Sequence, residues 1–198
     1  MKRLCVFCGS SPGKKENYLD AATELGKNIA ERNIELVYGG ASIGLMGAVA
    51  DAVLEHGGRA YGVIPEHLTT LEISHANLTE LIIVNDMHER KAKMAMMSDG
   101  FLALPGGIGT LEELIEICTW QQLQLHRKAT ALLNIDNFYD ALLTFLDHAT
   151  DQQFLRPQHR NNILHDADIP ALLDRMIYFN ANPNEFLAEK LESTIVRR

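Results

Sequence analysis

The chain has 198 residues, 46% hydrophobic and 22% charged, enough apolar material for one sizeable core. A formal net charge of −8 argues against DNA, RNA or an anionic membrane as partner, because those surfaces reward clustered Lys and Arg, but it leaves room for a small anion in a local pocket. MKRLCVFCGSSPG at the N-terminus has too few apolar residues before its first glycine for a signal peptide, and no stretch approaches about 18 apolar residues, so a soluble cytoplasmic protein is expected.

In chain order, β-type runs alternate with helical segments. LCVFCGS (4–10) reads as a strand, 16–32 as a helix, ELVYGG (35–40) as a strand and 44–56 as a helix. RAYGVIP (59–65) and ELIIVND (80–86) follow as strands, then a helix from Met87 to about Ser98, the strand GFLALPGG (100–107), a long helix over 109–125 and the strand ATALLNI (129–135). Past Asn137 the pattern turns helical, over 138–150, about 158–164 and 168–178, and beyond Asn180 it is polar enough for a surface arm. Near-continuous apolar strands alternating with helices predict an α/β fold, a Rossmann-like doubly wound parallel sheet. One domain over 1–180, with a helical C-terminal addition and an arm over 181–198, is the expected organisation.

Cys5 and Cys8 form a C-x-x-C, but in a strand they point to opposite faces, and no second Cys or His pair follows at zinc-ligand spacing. With Cys118 they read as reduced, buried thiols, and no metal site is expected.

In a doubly wound sheet, ligands sit beyond the carboxyl ends of the strands, near the switch point in strand order. Glycines follow three strands there: Gly9, the pair Gly39 and Gly40, and the group Gly106, Gly107 and Gly109. Two familiar phosphate motifs fail. GSSPGKK (9–15) leaves three residues where a P-loop needs four, with Lys15 at the hydroxyl position, and GGASIGLMG (39–47) misses the G-x-G-x-x-G spacing.

LPGGIGTLEE (104–113) carries more physics. Pro105 ends a strand, the glycines permit tight or left-handed turning, and a helix starting near Gly109 presents unpaired N–H groups with positive dipole sign to an anion. Thr110 adds a hydroxyl donor, and Glu113 leans back toward the helix start, while Glu112 is rotated about 100° away. The competing reading is a Thr-x-x-Glu capping box closing an ordinary helix. Upstream, DMHERKAKMAMM (86–97) opens with Asp86-x-x-Glu89, itself a plausible cap, and places Arg90 on one face with Met87, Met94 and Met97. A guanidinium there either snorkels to solvent or reaches an anion at the strand ends. A phosphate at Gly106 to Thr110 would put a sugar near Glu113, one helical turn or about 5 Å along. That carboxylate could stabilise an oxocarbenium-like carbon or orient water, with Arg90 on substrate oxygens. Glu116, one turn further, reads as support for Glu113, a contact to the base or a solvated face.

PGGIGTLEE (105–113) fits the pattern P-G-G-x-G-T-x-x-E, and MHERK (87–91) supplies the Arg-Lys element that accompanies it. With CVFCGSSPG, LVYGGASIGLMGAVADA, VIPEHL and ALLNIDNFYDALLTFLDH, the chain resembles the LOG (Lonely Guy) family over roughly three-quarters of its length. The resemblance implies hydrolysis of the N-glycosidic bond of N6-modified AMP, and often AMP, to free base and ribose 5-phosphate. It implies a homodimer or larger assembly, a nucleotide as the small-molecule partner and no cofactor. It puts catalysis on Arg90 and Glu113, phosphate binding on Gly106, Gly107, Gly109 and Thr110, and substrate contacts on Lys91 and Glu72, with Gly9, Ser10, Gly39 and Gly40 as further nucleotide contacts. Ile108 stands at the variable position where many plant members have an aromatic residue. The competing function is a non-catalytic carrier of nucleotide or molybdenum cofactor on a related fold, for which a carboxylate beside the bound anion would gain nothing. Apolar residues at Leu111, Leu114, Ile115, Ile117, Cys118, Trp120, Leu123 and Leu125 exceed one helical stripe, as an interior helix or a dimer contact would require.

Overall fold

The structure is a computed structural model and describes residues 1–69 and 74–187. Among the described residues seven strands alternate with helices: β1 (Arg3–Phe7), α1 (Glu16–Glu31), β2 (Glu35–Tyr38), α2 (Gly44–Glu55), β3 (Ala60–Pro65), β4 (Glu80–Val84), α3 (Met87–Met97), β5 (Gly100–Ala103) and α4 (Ile108–Gln122) come first. Then follow β6 (Ala129–Leu133), α5 (Asp140–Asp151), α6 (Pro157–Asn161), β7 (Ile163–Asp166), α7 (Ile169–Ala181) and the short α8 (Pro183–Leu187). Within the sheet the strands pair in parallel, in the order β4-β3-β2-β1-β5-β6-β7. The chain winds outward from β1 to one edge, returns to the other side of β1 as β5, and winds to the opposite edge. That doubly wound path puts the switch point between β1 and β5.

Strand alternation divides the core. Leu4, Val6 and Cys8 face a cluster built with Leu25 and Ile29 of α1, Val49 and Val53 of α2, and Leu172 and Met176 of α7. Cys5 and Phe7 face the other layer, with Met94 of α3, Leu114 and Ile117 of α4, and Leu143 of α5. Each fully buried side chain of this size contributes about 1.5–3 kcal/mol relative to exposure. The C-x-x-C thus straddles the sheet, and its two thiols belong to different layers.

Three local expectations are corrected. The helical reading of 158–164 fails, because α6 ends at Asn161 and β7 pairs with β6, matching Ala131 with Leu164. Only Ile163 and Leu164 are buried in that four-residue strand, too short a run to declare a period, so the open edge of β6 decides it. The strand at GFLALPGG stops at Ala103, where the chain leaves the sheet, although Leu104 N–H still donates to Phe7 O (2.9 Å) and Gly9 N–H to Pro105 O (3.1 Å). In the expected arm over 181–198, Ala181 still belongs to α7 and Pro183–Leu187 form α8, whose Phe186 stacks on Phe179 at 4.6 Å; residues 188–198 lie outside those described.

Candidate active site

The cavity at the switch point has a volume of about 320 Å³. Its walls come from Cys8, Gly9 and Ser10 after β1, Met46 of α2, Met87 and Arg90 of α3, and Gly107, Ile108, Gly109, Thr110, Glu112 and Glu113 at the start of α4.

Two helix N-termini meet here and are built differently. In α3, Asp86 is the N-cap, its Oδ1 accepting from His88 N–H (2.8 Å) and Glu89 N–H (2.9 Å), while Glu89 Oε2 accepts from Asn85 N–H (2.8 Å). This reciprocal arrangement is a capping box displaced by one residue. In α4, the N-cap is Gly107, in extended conformation and with no side-chain cap. The first intrahelical bond runs from Leu111 N–H to Gly107 O, so the preceding N–H groups at Ile108, Gly109 and Thr110 have no place in the helical ladder. Thr110 is the third helical residue rather than the cap. The Thr-x-x-Glu box therefore does not form, and the positive end of α4 is left facing the cavity.

The glycines of the turn have separate reasons. None of Gly106, Gly107 and Gly109 has a positive φ, so left-handed turning is not what they supply. A Cβ on Gly106 would stand 2.1 Å from Thr110 Oγ1 and 2.9 Å from the Gly9 nitrogen: the residue is there for close packing of the turn against the β1 loop. At Gly107 and Gly109 a Cβ would meet nothing within 4 Å, and the absence of side chains keeps the helix end open. Tyr139 holds the base of the turn, its buried hydroxyl donating to Leu104 O at 2.6 Å.

Arg90 does not snorkel. It is 6% exposed, its Nη2 donates to Gly39 O (3.3 Å), its Nη1 lies 3.7 Å from Met87 Sδ, and its Nε is buried with no hydrogen-bond partner. The seat depends on Gly39, where a Cβ would fall 2.1 Å from Nη2. A permanently charged group with unmet donor capacity, buried in a cavity wall, is poised for an anionic or oxygen-rich ligand. Glu113, half-buried one helical turn beyond the uncapped end, completes the set. Burial first, and the Glu113 charge second, push the Cys5 and Cys8 thiols upward, while Arg90 acts on Cys5 in the opposite sense. Both charges are thus felt at β1, and Cys8, although in the wall, is an inert thiol. Cys118 is likewise pushed up to about 12 by burial.

The remaining predicted residues divide. Gly9 and Ser10 line the cavity, but the Gly9 backbone is already engaged, its oxygen accepting from Leu45 N–H at 3.1 Å. Gly39 lies beneath Arg90. Gly40, with φ +85°, accepts from His75 N–H and packs near Leu81 and Gly62, away from the cavity walls. Lys91 is not a wall residue; its Nζ pairs with Glu112 Oε1 (2.5 Å) and Glu116 Oε1 (3.1 Å). Glu72 lies outside the described residues. Cys8, Met46 and Met87 line the site without having been singled out for it. The shared face of Met87 and Arg90 was a usable signal, whereas Met46 has none in its local sequence. Among the described residues, no group of three or more His, Cys, Asp or Glu is arranged to hold a metal ion, and no helix is long and apolar enough to cross a membrane.

A family model described as possible lysine decarboxylase matches residues 46–176. The cytokinin riboside 5′-monophosphate phosphoribohydrolase LOG7 of Arabidopsis thaliana is 56% identical over 164 residues, covering 82% of this chain and 75% of its own length. LOG2 of the same plant, of the same description, is 46% identical over 188 residues, covering 95% and 88%. Among solved structures, the molybdenum cofactor binding protein of Rippkaea orientalis superposes with a TM-score of 0.69 at 20% identity, covering 90% of this chain and 98% of that one. The molybdenum cofactor carrier protein of Chlamydomonas reinhardtii gives 0.67 at 22% identity, covering 89% and 98%. At such identities these two establish the fold alone.

Proposed function

The chain belongs to the LOG family of cytokinin riboside 5′-monophosphate phosphoribohydrolases, and from that premise we propose that the cavity between β1 and β5 is its active site, with Arg90 and Glu113 as the catalytic pair. The reaction is hydrolysis of the N-glycosidic bond of a nucleoside 5′-monophosphate, releasing free base and ribose 5-phosphate. The observation that carries the assignment is the pairing in one cavity of a buried arginine, its Nε unpartnered, with a carboxylate one turn past an uncapped helix N-terminus.

The phosphate sits over the N–H groups of Ile108, Gly109 and Thr110, joined by the Thr110 hydroxyl, with Gly106 keeping the turn tight and Gly107 and Gly109 keeping it open. Gly9 and Ser10 close the opposite wall. The ribose then extends toward Glu113, about 5 Å along the helix. Hydrolysis breaks the C1′–N bond and joins a water oxygen to C1′. One water proton ends on the departing base and the other stays on the new hydroxyl. Glu113 stabilises the positive charge that develops at C1′ and accepts the proton from water, which it then passes to the departing base so that the carboxylate is restored. Arg90 binds substrate oxygens by charge and hydrogen bonds. N6-modified AMP or AMP itself is the substrate class.

A pyridoxal-type decarboxylase would need a lysine in the cavity for an internal aldimine, and none lines it among the described residues; Lys91 is committed to two carboxylates. A pure carrier shares the fold but has no use for Glu113 beside its anion. The protein works as a homodimer in this reading: Ile108 (83% exposed) and Ile115 (41%) continue an apolar stripe with Leu111 along the outer side of α4, next to the cavity mouth.

Incubating the purified chain with AMP and with isopentenyl-AMP, and resolving the products by chromatography, tests the activity. Free adenine or isopentenyladenine is expected, and release of neither base would overturn it. Sedimentation as monomer at micromolar concentration would overturn the dimer.

A further inference from the structure

Arg90 is seated on a turn that a histidine holds from the other side. The turn follows β2: Gly39 O accepts from Arg90 Nη2 at 3.3 Å, Gly40 O accepts from His75 N–H at 3.0 Å, and Ala41 forms an antiparallel bridge with Ser74. His75 is 7% exposed, and both of its ring nitrogens are engaged. Asn77 N–H donates to Nδ1 (3.2 Å), so that nitrogen carries no proton, and Nε2–H is the donor to Asp51 Oδ1 on α2 (2.9 Å). Burying such an imidazole gains little stability over an apolar side chain, because desolvation offsets the bonds it makes. What it supplies is direction: one side chain ties residues 74–77 to α2, and that segment holds the turn over 39–41. The Arg90 bond to Gly39 is already longer than the usual length of about 2.9–3.0 Å, so a small shift of the turn is enough to lose it.

We propose that His75 is a positioning residue for Arg90: anchored on Asp51 and Asn77, it fixes the turn whose Gly39 carbonyl seats the guanidinium, and so sets where that charge meets substrate oxygens. His75 is not a wall residue of the cavity and acts only through the turn. This rests on the phosphoribohydrolase reading of the cavity. It also gives Gly40 a part in the site, as the point where His75 grips the turn. A misplacement of about 1 Å in a group that meets the substrate is enough to lower turnover by up to about a hundredfold, which is the scale at which such a support matters.

The test is kcat/KM for base release from AMP by the full chain, His75→Ala, His75→Gln, Asp51→Ala and Gly39→Ala with and without His75→Ala, with thermal melts alongside. His75→Ala is expected to lose about ten- to thirtyfold, while His75→Gln, which keeps a donor toward Asp51, stays within about threefold of wild type. In the Gly39→Ala chain the guanidinium is already displaced, so adding His75→Ala is expected to cost less than about a further twofold, because the two changes act on one contact. If His75→Ala does not fold, Asp51→Ala decides alone, since the Asp51 side chain is 58% exposed and its removal leaves the core intact. A loss of about threefold or more is expected there, and an unchanged kcat/KM overturns the proposal. A histidine that serves stability alone gives the opposite pattern: lower melting temperatures with kcat/KM of the folded protein unchanged, or the same fold-loss in both backgrounds. Either result overturns the positioning role and leaves the activity standing. A wild-type chain that releases no base overturns the activity and the positioning role with it.

Discussion

Asp86-x-x-Glu89 and Thr110-x-x-Glu113 have the same spacing, each lies at the start of a helix beside the same cavity, and the two do opposite things. Asp86 is the N-cap of α3 and both acidic side chains are spent on backbone N–H groups, so that helix end is satisfied from within the chain. In α4 the helix starts two residues before Thr110, with Gly107 as the cap, so Thr110 is already inside the first turn and Glu113 faces the cavity with the helix end unfilled. A capping pattern is a cap only when its first residue occupies the cap position. Here the glycine that moves the helix start leaves a local capping pattern as an uncapped helix end, the feature on which the proposed phosphate site rests.

The contrast is sharpest at the carboxylates. Glu113→Gln is expected to lower kcat by about a thousandfold or more while AMP binding remains measurable by calorimetry, since the phosphate site is untouched. The same change at Glu89 leaves turnover near wild type; comparable activity in both variants would remove the distinction. Gly39→Ala comes next, because its Cβ falls on Arg90 Nη2 and evicts the guanidinium from its seat, with an expected loss in kcat/KM of about ten- to a hundredfold at AMP concentrations well below KM. Thr110→Ala and Asp86→Ala then separate the two helix ends directly. The first raises KM for AMP about ten-fold with little change in melting temperature, as loss of one charge-assisted contact requires. The second lowers melting temperature by a few degrees and leaves KM alone. Reversed readouts would restore Thr110 as a cap.

The smallest effect is in pH. Hydrogen bonds from Glu89 N–H and His88 N–H hold the Asp86 carboxyl below its ordinary range. A lowered folded value means that the stabilisation is present above the unfolded value and is lost as pH falls through the folded one. Melting curves of wild type and Asp86→Ala should therefore differ at neutral pH and converge in acid. A difference that persists at the acid end would mean that Asp86 acts by something other than its charge.

Much of the fold was legible because the strands are near-continuous apolar runs punctuated by glycine, and burial on both faces of a parallel sheet demands that pattern. β7 was not, since ILHD carries two apolar residues and takes its identity from the free edge of β6. In the site, Arg90 stood out as a guanidinium among methionines, but whether it reached solvent or the cavity depended on Gly39, fifty-one residues away and meeting it only across the sheet. Lys91 reads, by resemblance, as a substrate contact; its pairing with Glu112 and Glu116 arises where two helices from successive βα units come together.

What the sequence determined by itself is the alternation of strands and helices, the glycine-rich turn ahead of α4 and the chemical types of the proposed catalytic pair, because these rest on local periodicity and on side-chain identity. The tertiary structure decided which helix end stays uncapped, where the arginine is buried and which carboxylates hold the neighbouring lysine. Those outcomes depend on distances between segments far apart in the chain, and such distances exist only once the sheet has brought β1 and β5 side by side.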